Sequence, residues 1–208
     1  ACLSAINDRK NKLIQEFTDY RIQQLKDSRF TLIQERAEFI SPHEIRVGDQ
    51  TLKAKSFILA TGSVIADYPV SGLTETGYIT SDDVLQMREA PQSIIVLGAG
   101  AVAVELAQFF LRIGVEVTLL QRSPHILSKG DEDLARPVEH RFRQEGMNLF
   151  TGTNILRAEK NQEGATIYFQ HEGEEKSVRA QTILQALGRR PNIDGLHLES
   201  AEVETQKG

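Results

Sequence analysis

The residues from Ile94 to Glu105, Ile-Ile-Val-Leu-Gly-Ala-Gly-Ala-Val-Ala-Val-Glu, carry the most specific chemistry in the chain. Gly98, Gly100 and Ala103 stand in the order Gly-x-Gly-x-x-Ala, the spacing of a dinucleotide-binding turn. Gly98 permits a tight turn out of a strand. Gly100 has no Cβ, so its backbone can approach a pyrophosphate, and Ala103 is small enough for a helix to lie close to that strand. Gly98, Ala99, Gly100, Ala101, Val102 and Ala103 together are the candidate phosphate-binding turn, with the free N–H groups and positive dipole end of the helix facing the anion. The plainer alternative is a tight turn with no ligand.

The choice of nucleotide is set further along. A carboxylate about 20 residues beyond the glycines would grip a ribose 2′-hydroxyl and repel a 2′-phosphate. Gln121-Arg122-Ser123 stands there instead, and Glu116 comes too early to serve. Charge-assisted bonds from Arg122 to a phosphate are worth roughly 1.5–3 kcal/mol each. That corresponds to about a tenfold to hundredfold preference for NADP over NAD. Lys129 is a further candidate for the same pocket, and the alternative for Arg122 is a solvated surface charge.

The elements that must hold these residues follow from hydrophobic patterning. Ile94–Leu97 is a short apolar run suited to a parallel strand buried on both faces. A helical pattern runs from Ala101 to Ile113 and stops at Gly114, and Val115–Leu120 reads as the next strand. Leu134, Val138 and Phe142 predict a second helix, with Asp131 or Asp133 as N-cap and Pro137 delaying its start or bending it. Met147–Phe150 is a third strand candidate. Turns near Gly164 and Gly173 predict an antiparallel meander closing at Thr182–Leu187. Upstream, Leu3, Ile6, Leu13, Phe17 and Leu25 have amphipathic-helix spacing over residues 3 to 25. A smaller meander is read from Phe30–Ile33, Glu44–Val47 and Phe57–Leu59, turning at Gly48-Asp49. Ala60-Thr61-Gly62-Ser63 ends it, and a connection runs from Tyr68 to Gly77.

Composition narrows the functional classes. The 208 residues are 25% charged and 40% hydrophobic with net charge −5, enough for one large domain or two small ones. No basic block suggests nucleic acid, and no apolar run approaches the ~18 residues that span a bilayer. Cys2 is the single cysteine, so there is no intrachain disulfide and no cysteine-rich zinc site. The five histidines have no i,i+3 or i,i+4 partner among themselves, and no metal is expected. His125 is close enough to Arg122 for a secondary phosphate or adenine contact, or is an ordinary loop histidine. Without a signal sequence, a soluble cytoplasmic protein is expected.

Three segments together resemble the class I pyridine nucleotide–disulfide oxidoreductases, the family of glutathione reductase, dihydrolipoamide dehydrogenase and mercuric reductase. Ala60-Thr61-Gly62-Ser63 is similar to that family's middle flavin-domain motif. Gly98–Glu105 is similar to its nicotinamide-binding turn, and Ala186-Leu187-Gly188-Arg189-Arg190-Pro191-Asn192 to the segment returning toward the flavin. The resemblance implies an α/β fold: a Rossmann-type nicotinamide domain with a parallel sheet and antiparallel meander over 67–190, a partial FAD domain of helix and small antiparallel sheet over 1–66, and a return segment over 191–208.

The same resemblance implies that Thr61 and Gly62 lie beside the adenosine half of FAD. It places Gly188 against the nicotinamide ribose and Arg189 at the domain junction. Glu105 would be the catalytic glutamate that pairs with a lysine near the flavin; without that lysine it is a helix-surface carboxylate. Gln121 replaces the acid of NAD-using members and Arg122 matches an arginine of NADP-using ones, whereas Ser128 stands where those often carry a second arginine. Ala1–Ala5 is similar to the helix just after the family's redox cysteine pair. The expectation is therefore a central fragment of a flavoprotein that passes hydride from NADPH (or NADH) through FAD to a disulfide or related acceptor. The whole protein would be a homodimer through a further C-terminal domain, and the fragment inactive alone. The rival class is a stand-alone dinucleotide-binding module. A single-domain dehydrogenase fits poorly, because no Tyr-x-x-x-Lys set is present.

Overall fold

A computed structural model describes residues 2–26 and 29–206; Ala1 and Gly208, at the outer bounds of the expected domains, lie outside these. The chain opens with helix α1 (Leu3–Leu25), followed by strands β1 (Ala37–Ser41), β2 (Glu44–Val47), β3 (Gln50–Lys53) and β4 (Ser63–Ile65). Short helices α2 (Leu73–Thr76) and α3 (Ser81–Val84) lead to β5 (Ser93–Leu97), α4 (Ala101–Arg112), β6 (Glu116–Leu120), α5 (Glu132–Gln144) and β7 (Asn148–Phe150). Then come β8 (Asn154–Asn161), β9 (Gly164–His171), β10 (Glu174–Ala180), β11 (Thr182–Gln185) and β12 (Arg189–Pro191). The chain divides into two compact units, one of residues up to Lys12 with Ala66–Gly188, the other of Leu13–Ile65 with residues from Arg189 onward.

The first unit is built on a parallel sheet of order β11-β5-β6-β7. Ile94, Ile95, Val96 and Leu97 have no solvent exposure, as a strand covered on both faces requires. On one face Ile94, Val96, Val117 and Leu119 pack with Ala103, Ala107 and Phe110 of α4 and Phe142 of α5. On the other, Ile95, Leu97, Leu120 and Ile183 pack with Ile167 and Phe169 of the antiparallel sheet β10-β9-β8. Each such buried aliphatic side chain contributes about 1.5–3 kcal/mol. This burial fixes the register Ile94↔Val117 to Leu97↔Leu120, and so sets Gly98 at the carboxyl end of β5.

Several expectations are corrected within this architecture. Thr182–Gln185 does not close the meander: it pairs in parallel with β5, from Thr182↔Ile94 to Gln185↔Leu97. Its run of buried Ile183, Leu184 and Gln185 suits a parallel strand covered on both faces, here the one that ends the sheet beside β5. In α5, Asp131 is the N-cap, its carboxylate accepting from the Asp133 N–H at 3.1 Å. Pro137 lies inside the helix without delaying its start. Of the predicted apolar set Phe142 is buried and Val138 packs against the core, whereas Leu134 is 73% exposed and Ala135 is buried.

The second unit holds the antiparallel sheet β1-β2-β3 and the pair β12-β4. Phe30–Ile33 and Phe57–Leu59 are not strands. Alternation alone did not give them a partner; the neighbours of β2 are Ala37–Ser41 and Gln50–Lys53. Phe57 nevertheless packs edge-on against Phe39, with ring centroids 5.1 Å apart. α1 covers the predicted span, but of its apolar residues only Leu3 is buried, and Leu13, Phe17 and Leu25 are exposed. Among the described residues no helix is long and apolar enough to cross a membrane.

Candidate functional site

A cavity of about 640 Å³ opens in the first unit beyond the carboxyl ends of β5, β6 and β11. β6 lies on one side of β5 and the late strand β11 on the other. This reversal of direction is where open α/β sheets leave a crevice for ligands. Gly98–Ala101 lies along the cavity, with Gln121–Ser123 and Leu127–Gly130 forming one wall, and Ala186–Gly188 and Tyr68 completing it.

Its two turn glycines are needed for different reasons. Gly98 has φ +95°, and a Cβ there would come within 2.6 Å of the Ala186 carbonyl oxygen. Its N–H donates to the Leu120 carbonyl at 2.8 Å, while the Ala186 N–H donates to Leu97 at 3.0 Å, so the ends of three strands meet at this residue. Gly100, the N-cap of α4, has an ordinary φ of −73° and no side-chain cap. Among the described residues nothing lies within 4 Å of where its Cβ would be. The first-turn amides of α4 lack intrahelical acceptors. The space left by the missing Cβ lets an anion reach them, so the turn fits a diphosphate.

The opposite wall is cationic. Arg122 and Lys129 line the cavity together with Ser123 and Ser128, and among the described residues no Asp or Glu lines it, although the whole chain carries −5. The Arg122 guanidinium donates from Nη1 to the Tyr68 hydroxyl oxygen at 3.3 Å. Gln121 is buried: its N–H donates to Phe150, and its carbonyl accepts from the Thr153 N–H and hydroxyl. Its carboxamide points at the loop, with Nε2 3.4 Å from the His125 carbonyl. The Ile126 N–H donates to Glu139 Oε1 at 2.8 Å and the Leu127 N–H to the Ala99 carbonyl at 2.8 Å.

The structure thus brings Gly98, Ala99, Gly100, Ala101, Gln121, Arg122, Ser123, Lys129 and Gly188 around one cavity. Ala103 is buried in the core behind the turn, whereas Val102 and Glu105 sit exposed on α4 outside the cavity lining. His125 does not line it either, and its Nδ1 lies 2.7 Å from the Ile126 carbonyl. Thr61, Gly62 and Arg189 belong to the second unit. There Arg189 donates to Ser63 Oγ and to its carbonyl, both at 2.8 Å, and the Thr61 and Gly62 carbonyls accept from Asn192. Sequence reasoning missed Tyr68, Leu127 and Gly130 as lining residues. Tyr68 reaches Arg122 across 54 positions, and no local pattern signals such a contact.

The sequence model of the family described as pyridine nucleotide-disulphide oxidoreductase matches residues 3–208. The chain belongs to this family. A mercuric reductase of Staphylococcus aureus is 35% identical over 208 residues, covering 100% of this chain and 38% of that protein. A dihydrolipoyl dehydrogenase of Thermus scotoductus is 36% identical over 187 residues, covering 88% of this chain and 40% of that protein. Among solved structures, the HOCl-induced flavoprotein disulfide reductase RclA of Escherichia coli superposes with a TM-score of 0.84 at 25% identity, over 98% of this chain and 47% of the other. This pyridine nucleotide-disulphide oxidoreductase chain therefore spans about two fifths of the length of these curated relatives. Its mixed α/β architecture, parallel sheet with antiparallel sheets, is that of the flavoprotein disulfide reductases, as the sequence motifs implied.

Proposed function

We propose that the cavity beyond β5 binds a nicotinamide dinucleotide, with NADPH preferred over NADH. The observation that carries this reading is a glycine-lined turn facing two cations in a cavity to which the described residues bring no carboxylate. Gly98–Ala101 would take the pyrophosphate. Arg122, with Lys129 and Ser123 nearby, would take the adenosine 2′-phosphate, and Gly188 would lie toward the nicotinamide ribose. Residues 67–190 would be the nicotinamide domain, residues 1–66 part of a flavin domain in which Thr61 and Gly62 flank FAD, and 191–208 the return toward it.

In the whole protein, a cytoplasmic homodimer on this reading, the bound cofactors would supply hydride transfer from NADPH through FAD to a disulfide or related acceptor. The chain's own residues contribute positioning and charge. Glu105 would act beside the flavin in that protein. These 208 residues hold one cysteine, so by themselves they bind nucleotide without turnover.

Calorimetric titration of the chain with NADPH, NADH and FAD tests this. NADPH should bind about tenfold to hundredfold more tightly than NADH at low salt. Arg122→Ala should abolish the difference while leaving NADH binding nearly unchanged. Equal affinities of the unaltered chain for the two nucleotides would overturn the assignment.

A further inference from the structure

We propose that Tyr68 is a specificity-determining residue of this site, its hydroxyl aiming the Arg122 guanidinium and itself donating a hydrogen bond to the adenosine 2′-phosphate. The inference rests on the NADP reading of the cavity and adds to it a residue from outside the strand–turn–helix unit.

Three observations support it. First, Tyr68 and Arg122 both line the cavity, and the Arg122 guanidinium donates to the Tyr68 hydroxyl oxygen at 3.3 Å. Second, other arginines of the chain are held by carboxylates: Arg112 and Arg141 by Glu145, Arg136 by Glu132, Arg157 by Glu159 and Glu175, and Arg190 by Asp194. The Arg122 guanidinium instead donates to a neutral phenol. A carboxylate there would cancel the positive charge that a phosphate needs, whereas a phenol orients the guanidinium and leaves its charge intact. Third, the contact is long for an N–H···O bond and engages one of five guanidinium donors, so the rest stay available for a bidentate grip on phosphate.

The chemistry is complementary. While its oxygen accepts from Arg122, the phenol still has its own O–H to give. A phosphate oxygen on the cavity side can take that proton in a hydrogen bond, whereas a ribose 2′-hydroxyl offers no charge to either group. Both tyrosine and arginine therefore act on the single feature separating NADP from NAD.

The decisive experiment titrates the 208-residue chain and its Tyr68→Phe variant with adenosine 2′,5′-bisphosphate and with adenosine 5′-monophosphate, which differ only in the 2′-phosphate. Phenylalanine keeps the ring, so thermal unfolding should be unchanged. The bisphosphate should lose about tenfold in affinity while the monophosphate is unaffected. In an Arg122→Ala background the same change should have a much smaller effect, because the two residues act as a pair. An unchanged ratio in Tyr68→Phe, or an equal loss for both probes, overturns the role of Tyr68 and leaves the Arg122 assignment standing. If the unaltered chain does not distinguish the two probes, the NADP reading itself fails, and this inference with it.

Discussion

The backbone N–H of Leu127 donates to the carbonyl of Ala99 at 2.8 Å, which ties the loop after β6 directly to the turn after β5. Leu127 adopts φ +51° to make this contact, a conformation uncommon for a branched side chain. Its side chain also packs against the core beneath α4. The loop bearing Lys129 and the turn bearing Gly100 are therefore one connected structure, and a change in one is felt by the other.

Gly98→Ala should destabilise the fold. The added Cβ would meet the Ala186 carbonyl at 2.6 Å with the backbone at φ +95°, a strained state costing about 1–3 kcal/mol before the clash is counted. At roughly 2–4 °C per kcal/mol for a chain of this size, calorimetry should show melting several degrees lower. An unchanged melting temperature would mean that β5 and β11 separate freely at their ends.

Gly100→Val should do the opposite: keep the fold and lose the ligand. Among the described residues nothing lies within 4 Å of the position its Cβ would occupy, and its φ of −73° suits any residue. Melting should shift by no more than the roughly 1 kcal/mol of a poorer N-cap. NADPH affinity should fall at least tenfold, because the new methyls occupy the approach to the first-turn amides. Retained affinity in a well-folded variant would show that the diphosphate sits elsewhere.

Glu145 gives a pH signature. Hydrogen bonds from Arg112 and Arg141 hold its carboxyl down to about 2 from the ordinary 4.5, joining the ends of α4 and α5. A group depressed on folding stabilises fully above its unfolded value and ceases to do so as pH falls through its folded value. The difference in stability between the chain and Glu145→Gln should therefore be full at neutral pH, shrink below pH 4.5 and vanish near pH 2. Denaturant titrations across that range would show it; a gap that persists at the acid end would argue against the ion pairs.

Gln185 is 2% exposed, and its Nε2 donates to the Ala66 carbonyl at 3.0 Å. Ala66 in turn donates its N–H to the Gly188 carbonyl at 3.0 Å, so this amide braces the cavity's Gly188 side. Gln185→Leu should cost about 0.5–1.5 kcal/mol, the net worth of the bond to Ala66, because it also removes a buried Oε1 without a partner among the described residues. Gln185→Glu should be worse at pH 8 than at pH 5. A buried carboxyl is raised on folding, so its stabilisation is present while it is protonated and can donate, and is lost as pH rises. Identical melting of Gln185→Glu at the two pH values would refute the bracing role.

What could be read from the sequence divides along the range of the interactions. The β5–turn–α4 unit was legible because Ile94–Leu97, the two glycines and Ala103 each act through neighbours close in sequence. Glycine spacing reports backbone need directly, and Gly98 and Gly100 show that need as a close approach and an open approach respectively. The strand at Phe30–Ile33 was misread because alternation says a face could be buried without saying what would bury it. β11 was misassigned because Ile183 and Leu184 read equally as the end of a meander or a buried parallel strand; the partner, β5, decides. Tyr68 was unreadable as a lining residue, since its contact to Arg122 exists only after the sheet has assembled.

The late position of β11 also bears on biosynthesis. Until the ribosome has passed residue 185, the flank of β5 that β11 covers has no strand beside it, and the cavity lacks its Ala186–Gly188 wall. A nascent chain stalled or cleaved before that point would present an unpaired apolar strand, the kind of edge that recruits other chains. Translation pausing ahead of Thr182 is therefore where aggregation and chaperone capture of this polypeptide should concentrate.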